Sequence, residues 1–205
     1  MTTPPDQPSL VTVTNTDLLN GLKDPKNESV WQAYVERYRP LVVSYACRVG
    51  IAQEEAEDIA QGSLLEFSSD YRAGKYDRTR GRLRSWLFGI VQHQIGRWRR
   101  AKHRNRVQAL SDAHKEEIES LSDEDDTSKT WEAEWNAAIL RECLNQIRRE
   151  IQPTTFRAFE LFVLQDRPAE EVAQELGMSA NAVFKAKRRV ADRIKDLLPL
   201  MDAIW

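Results

Sequence analysis

The chain has 205 residues, of which 41% are hydrophobic, enough for one large or two small folded cores. Its apolar runs are only a few residues long, far short of the roughly 18 to 20 needed to cross a bilayer. Met1 to Ser9 lacks the basic and apolar regions of a secretory signal, so the expected location is cytoplasmic. The net charge of −2 averages over segments of opposite sign: no Asp or Glu occurs from Arg78 to Arg106, whereas Ser111 to Glu134 is strongly acidic.

In chain order, residues 1–15 are rich in Pro and Thr and read as a disordered tail. Trp31, Tyr34, Val35, Tyr38, Leu41, Val42, Tyr45 and Val49 recur at helical steps and predict a helix from about Glu28 to Val49, bent or restarted at Pro40. A second helix is predicted from Gln53 to Tyr71, with Ile59, Ser63, Leu64 and Phe67 inward and Glu54, Glu55, Glu57 and Asp58 favouring its N-terminus. After the loop Arg72 to Gly81, a third helix carries the stripe Leu83, Trp86, Leu87, Ile90, Val91, Gln94, Ile95 and Trp98. These helices define a first domain over 16–104.

The stretch 105–130 has no sustained apolar period and reads as an acidic flexible linker. A second domain over 131–205 follows: one helix through Trp131, Trp135, Leu140, Leu144, Ile147 and Ile151, and another opened by Pro153 through Phe156, Phe159 and Val163. Pro168 stands at an expected first helical position, and Ser179 is an expected N-cap. No strand alternation is present, so the expected fold class is all-α in two small helical domains. Cys47 and Cys143 fall within helical patterns and, with three scattered histidines, give no metal-ligand spacing; no metal or other cofactor is expected.

Pro168–Glu175, the turn Leu176–Gly177–Met178 and the basic helix from Ser179 form a helix-turn-helix pattern, with Val172, Ala173, Leu176, Val183 and Val190 as its small core. Ser179, Asn181, Lys185, Arg188, Arg189 and also Lys187 face outward, suited to base edges and phosphates in a major groove. Arg80, Arg82, Arg84, Arg97, Arg99 and Arg100 flank and interleave with Trp86, Phe88 and Trp98 along the third helix and the basic loop that enters it. Phe88 lies off the apolar stripe, as an exposed ring for stacking on an unpaired base would. No phosphate loop, metal pattern or nucleophile motif occurs, so no enzyme is expected.

These residues resemble a bacterial sigma factor of the extracytoplasmic-function (group IV) class. Ala56-Glu57-Asp58-Ile59-Ala60-Gln61 is similar to the family's Asp-x-x-Gln element, which docks on the clamp helices of the polymerase beta-prime subunit. Tyr76-Asp77 with Arg80-Gly81-x-Leu83-x-x-Trp86-Leu87-x-x-Ile90 is similar to the promoter-melting segment, and Glu170 through Ser179 to the domain that recognises the −35 element. The resemblance implies that Glu57, Asp58, Gln61 and Leu65 hold core RNA polymerase, the second domain meeting the beta flap. It implies that the loop and third helix, His93 included, capture the −10 element. Gly62 and Ser63 stand where many relatives have an acidic and an aliphatic residue, so Ser63 is a candidate phosphorylation site that would restore the charge. An anti-sigma factor or a protein kinase would be compatible further partners, and membrane insertion is not expected. The residues alone also admit a stand-alone helix-turn-helix regulator whose N-terminal helices bind an effector or dimerise.

Overall fold

The computed structural model describes residues 15–77, 79–109 and 124–204; nearly all of the expected tail, Arg78 and the middle of the acidic stretch lie outside them. Every regular element among the described residues is helical, and the chain divides into two compact units, Asn15–Trp135 and the residues from Asn136 onward.

In the first unit α1 (Asn15–Gly21) precedes α2 (Glu28–Arg48), α3 (Gln53–Arg72) and α4 (Leu83–Ala109). Asn27 caps α2, its side-chain oxygen accepting the Val30 N–H at 3.3 Å. α2 continues through Pro40 rather than restarting there: the proline removes one N–H donor, but Tyr38, Leu41, Val42 and Val43 on either side are buried and hold the helix. Tyr34, Tyr38, Tyr45, Leu64, Phe67, Leu87 and Ile95 fill the core between α2, α3 and α4. A ring ladder runs through it, with Tyr34 5.2 Å from both Tyr38 and Phe67.

α5 (Glu124–Glu150) begins inside the stretch expected to be linker, and its first turns belong to the first unit. Trp131 and Trp135, expected in the second domain, are buried here instead: Trp131 meets Tyr45 edge-on at 5.2 Å, and Trp135 lies 6.0 Å from Tyr38. Burial of two indoles outweighs the weak helical preference of Asp125 and Asp126 before them.

The second unit contains the rest of α5, then α6 (Pro153–Phe159) continuing into a π-helical turn at Glu160–Leu164, α7 (Ala169–Leu176) and α8 (Ala180–Ile204). Pro153 occupies the first turn of α6, while Pro168 is the N-cap of α7, one position earlier than expected. Arg193 grips Glu150 with Nε at 2.7 Å and Nη2 at 3.2 Å, joining α8 to the end of α5.

Candidate nucleic-acid and protein-docking surfaces

On α3, Asp58, Gln61 and Leu65 recur at three- and four-residue steps and all are exposed, Leu65 by 52%. Glu57 sits at the edge of this stripe, partly buried and paired with Arg39 at 2.8 Å. Ser63 points the other way. It is fully buried, and its Oγ has no hydrogen-bond partner among the described residues. The expected phosphorylation site is therefore closed to a kinase in this fold, because a phosphate there would be a dianion in an apolar core.

The loop before α4 is organised by Asp77, whose Oδ1 accepts from the Thr79 amide at 2.8 Å and hydroxyl at 2.7 Å. Those bonds, the hydroxyl's first, hold the Asp77 carboxyl below its ordinary value. Trp86 carries the loop onto the core: its ring lies 4.6 Å from Phe67 and 4.9 Å from Tyr76. Phe88 departs from expectation. It is half-buried, 5.9 Å from Tyr45 and 5.4 Å from Trp131, because the start of α5 covers the side of α4 that its period left bare.

The cations of α4 and of the loop before it fall into two groups. Arg84 pairs with Glu132 at 3.1 Å, Lys102 with Glu55 at 3.0 Å, and Arg97 lies 3.8 Å from Glu66. Glu66, which the sequence did not single out, also reaches His93 at 3.3 Å and accepts from Gln94 at 2.6 Å, fixing the register of α4 on α3. Arg80, Arg82, Arg99 and Arg100 are exposed and carry no ion pair among the described residues. A groove of about 440 Å³ between α3 and α4 brings Asp58 beside Arg97, Trp98, Arg100 and Arg104, so the stripe that begins at Asp58 and the basic helix share an edge. Lys102 Nζ lies 4.6 Å from the centre of the half-buried Trp98 ring.

In the second unit Gly177 ends α7 in the left-handed conformation (φ 62°), and Met178 N–H closes the turn onto Ala173 C=O at 2.9 Å. Ser179 then caps α8, its Oγ accepting the Ala182 N–H at 3.2 Å. Val172, Ala173, Val183 and Ala186 pack across the turn with Ala158, Leu161 and Ala169; Leu176 is partly buried against them and Val190 is buried. This leaves the cap Ser179 and, on α8, Asn181, Lys185, Lys187, Arg188 and Arg189 all exposed.

Residues 34–105 match the family described as Sigma-70 region 2. The matched stretch spans most of α2, all of α3 and most of α4, about a third of the chain, and supports a sigma-70 family sigma factor. The family indicates a non-catalytic role in transcription initiation, in RNA polymerase binding and promoter melting. No curated protein matches the chain. Among the described residues no helix is long and apolar enough to cross a membrane.

Proposed function

We propose that this protein is an alternative sigma factor of the extracytoplasmic-function class, which joins core RNA polymerase, directs it to particular promoters and helps open them. The Sigma-70 region 2 match carries the reading, because it falls on the unit that holds both the Asp58–Gln61–Leu65 stripe and the basic helix α4. In this reading Asp58, Gln61 and Leu65 dock on the beta-prime clamp helices, with Glu57 holding the edge of the stripe.

The Asp77 loop, Trp86 and the cations Arg80, Arg82, Arg99 and Arg100 receive the −10 element of the non-template strand, flanked by Arg84, His93 and Arg97. Opening a duplex costs stacking, and the exposed cations offset that cost by holding the phosphates of the released strand. Phe88 joins this contact once its ring is freed from Trp131. Asn181, Lys185, Arg188 and Arg189, on a helix capped by Ser179, read the −35 element, a role supported by the geometry of the turn and the outward cations.

The test is to mix the purified chain with bacterial core RNA polymerase and genomic DNA fragments and to sequence the transcripts. New start sites sharing paired upstream elements are expected. A chain that forms no complex with the polymerase and yields no new starts, but binds paired half-sites as a dimer, would instead be a stand-alone regulator.

A further inference from the structure

The outward arc of α8 holds one residue out of keeping with its neighbours. At about 100° per residue, Asn181, Phe184, Lys185 and Arg188 fall within about 100° of arc, opposite the buried Val183, Ala186 and Val190. Phe184 is 51% exposed in the midst of this polar and cationic face. It is also held in place: Phe162, on the π-helical turn, meets it edge-on at 5.3 Å, and Lys187 Nζ stands 5.5 Å from the Phe162 ring. The ring is thus braced on one side and open on the side that Asn181, Lys185 and Arg188 share.

Leaving an aromatic ring half in water forfeits burial free energy that the small core of Val172, Ala173 and Val183 would otherwise gain. On a duplex the outlay is recovered. In the major groove the one apolar group on a base edge is the C5-methyl of thymine, and an aromatic ring is a fitting partner for it.

We infer that Phe184 is a specificity-determining residue that packs against the C5-methyl of a thymine in the upstream promoter element. The inference rests on α8 being the duplex-reading helix of the proposed sigma factor. Asn181 and Arg188 supply hydrogen bonds to neighbouring base edges or phosphates, while Phe184 distinguishes thymine from cytosine and from uracil by the methyl alone.

The experiment uses the full chain assembled with bacterial core RNA polymerase. Genomic fragments retained by this complex, and not by core polymerase alone, define the upstream element. Each thymine in that element is then replaced singly by deoxyuridine, which deletes one methyl and keeps the base pair. At one or two positions the parent chain should lose about fourfold in affinity, the worth of burying one methyl group. Phe184→Ala should bind thymine and deoxyuridine at those positions equally, and Phe184→Leu should regain part of the difference. Thermal unfolding of both variants should match the parent, since the ring is half-exposed. Equal binding of all deoxyuridine duplexes by the parent, or a methyl preference that survives in Phe184→Ala, would overturn the inference while leaving the sigma-factor reading in place. Retention of no fragments beyond those held by core polymerase alone would overturn both.

Discussion

Arg48 and Glu134 tie the start of α5 to α2: Arg48 Nε stands 2.8 Å from one oxygen of the buried Glu134 carboxylate. The other oxygen accepts the Ser44 hydroxyl at 2.5 Å, so the buried charge is met on both sides. Arg48 stays largely in water, which keeps its desolvation cost small. With Trp131 and Trp135 on either side of this contact in sequence, the first turns of α5 complete the core of the first unit.

Trp131→Ala should therefore lower the stability of the first unit by about 3–5 kcal/mol, the cost of deleting a large buried ring. Amide hydrogen exchange would show it as faster opening in α2 and α4. Unchanged protection in those helices would mean that α5 contributes nothing to that unit.

Ser63 gives a prediction of opposite sign to the usual one for a buried polar residue. Its hydroxyl is unpaired, so Ser63→Ala should be neutral or stabilising by up to about 1 kcal/mol. Ser63→Asp, which mimics the modification the sequence suggested, should cost about 3 kcal/mol or more. Thermal unfolding of the two variants decides it: an aspartate variant as stable as the parent would show the site to be open.

Three tyrosines make the first unit alkali-sensitive. Burial raises the Tyr38 hydroxyl to about 12, lifts Tyr34 well above its ordinary value and raises Tyr45 despite hydrogen bonds from Thr127 and Gln92. A folded pKa above the unfolded 10 means that the stabilisation is fully present below about pH 10 and is lost as pH rises toward 12. For Tyr38 the loss amounts to about 3 kcal/mol over those two units. Tyrosinate absorbance should rise in step with loss of helical circular dichroism, whereas early titration of all five tyrosines without unfolding would contradict the burial.

What the sequence made legible follows from what a local period can carry. The stripes of α2, α3 and α4 repeat every three to four residues, so all three helices were legible, and α2 and α3 emerged within one residue of their observed ends. The cap at Ser179 and the left-handed turn at Gly177 depend only on neighbours and were equally readable. Contacts between distant segments were not. Phe88 looked bare because its cover, Trp131, lies beyond an acidic stretch whose charge argued for a linker. The role of Glu66 rests on partners 27 to 31 positions away, which no period reveals. Ser63 is instructive in the other direction: its place on the inward stripe already argued against modification.

Leu65 separates docking from folding. Because its side chain is half in water and adds little to the core, Leu65→Ala should change stability by less than about 1 kcal/mol. The same change should weaken core polymerase binding by about tenfold, as loss of an apolar anchor in a protein interface does. Affinity measured by fluorescence titration, beside an unfolding curve, checks both. Undiminished affinity would move the docking surface off this stripe.

Salt dependence tests α8 without knowing its DNA sequence. Arg188 is strongly exposed and its contact with Asp192 is long, at 3.7 Å, so the guanidinium gives up little by turning to a phosphate. Arg189 is exposed as well. If each meets one phosphate, replacing both with alanine should reduce the slope of log affinity against log salt by about two. The loss should be similar for cognate and unrelated duplexes, since phosphates carry no sequence. Should one of them read a base edge instead, the slope falls by about one and discrimination against the wrong base drops by about 1–3 kcal/mol. Unchanged slope and unchanged discrimination together would remove this face of α8 from the DNA contact.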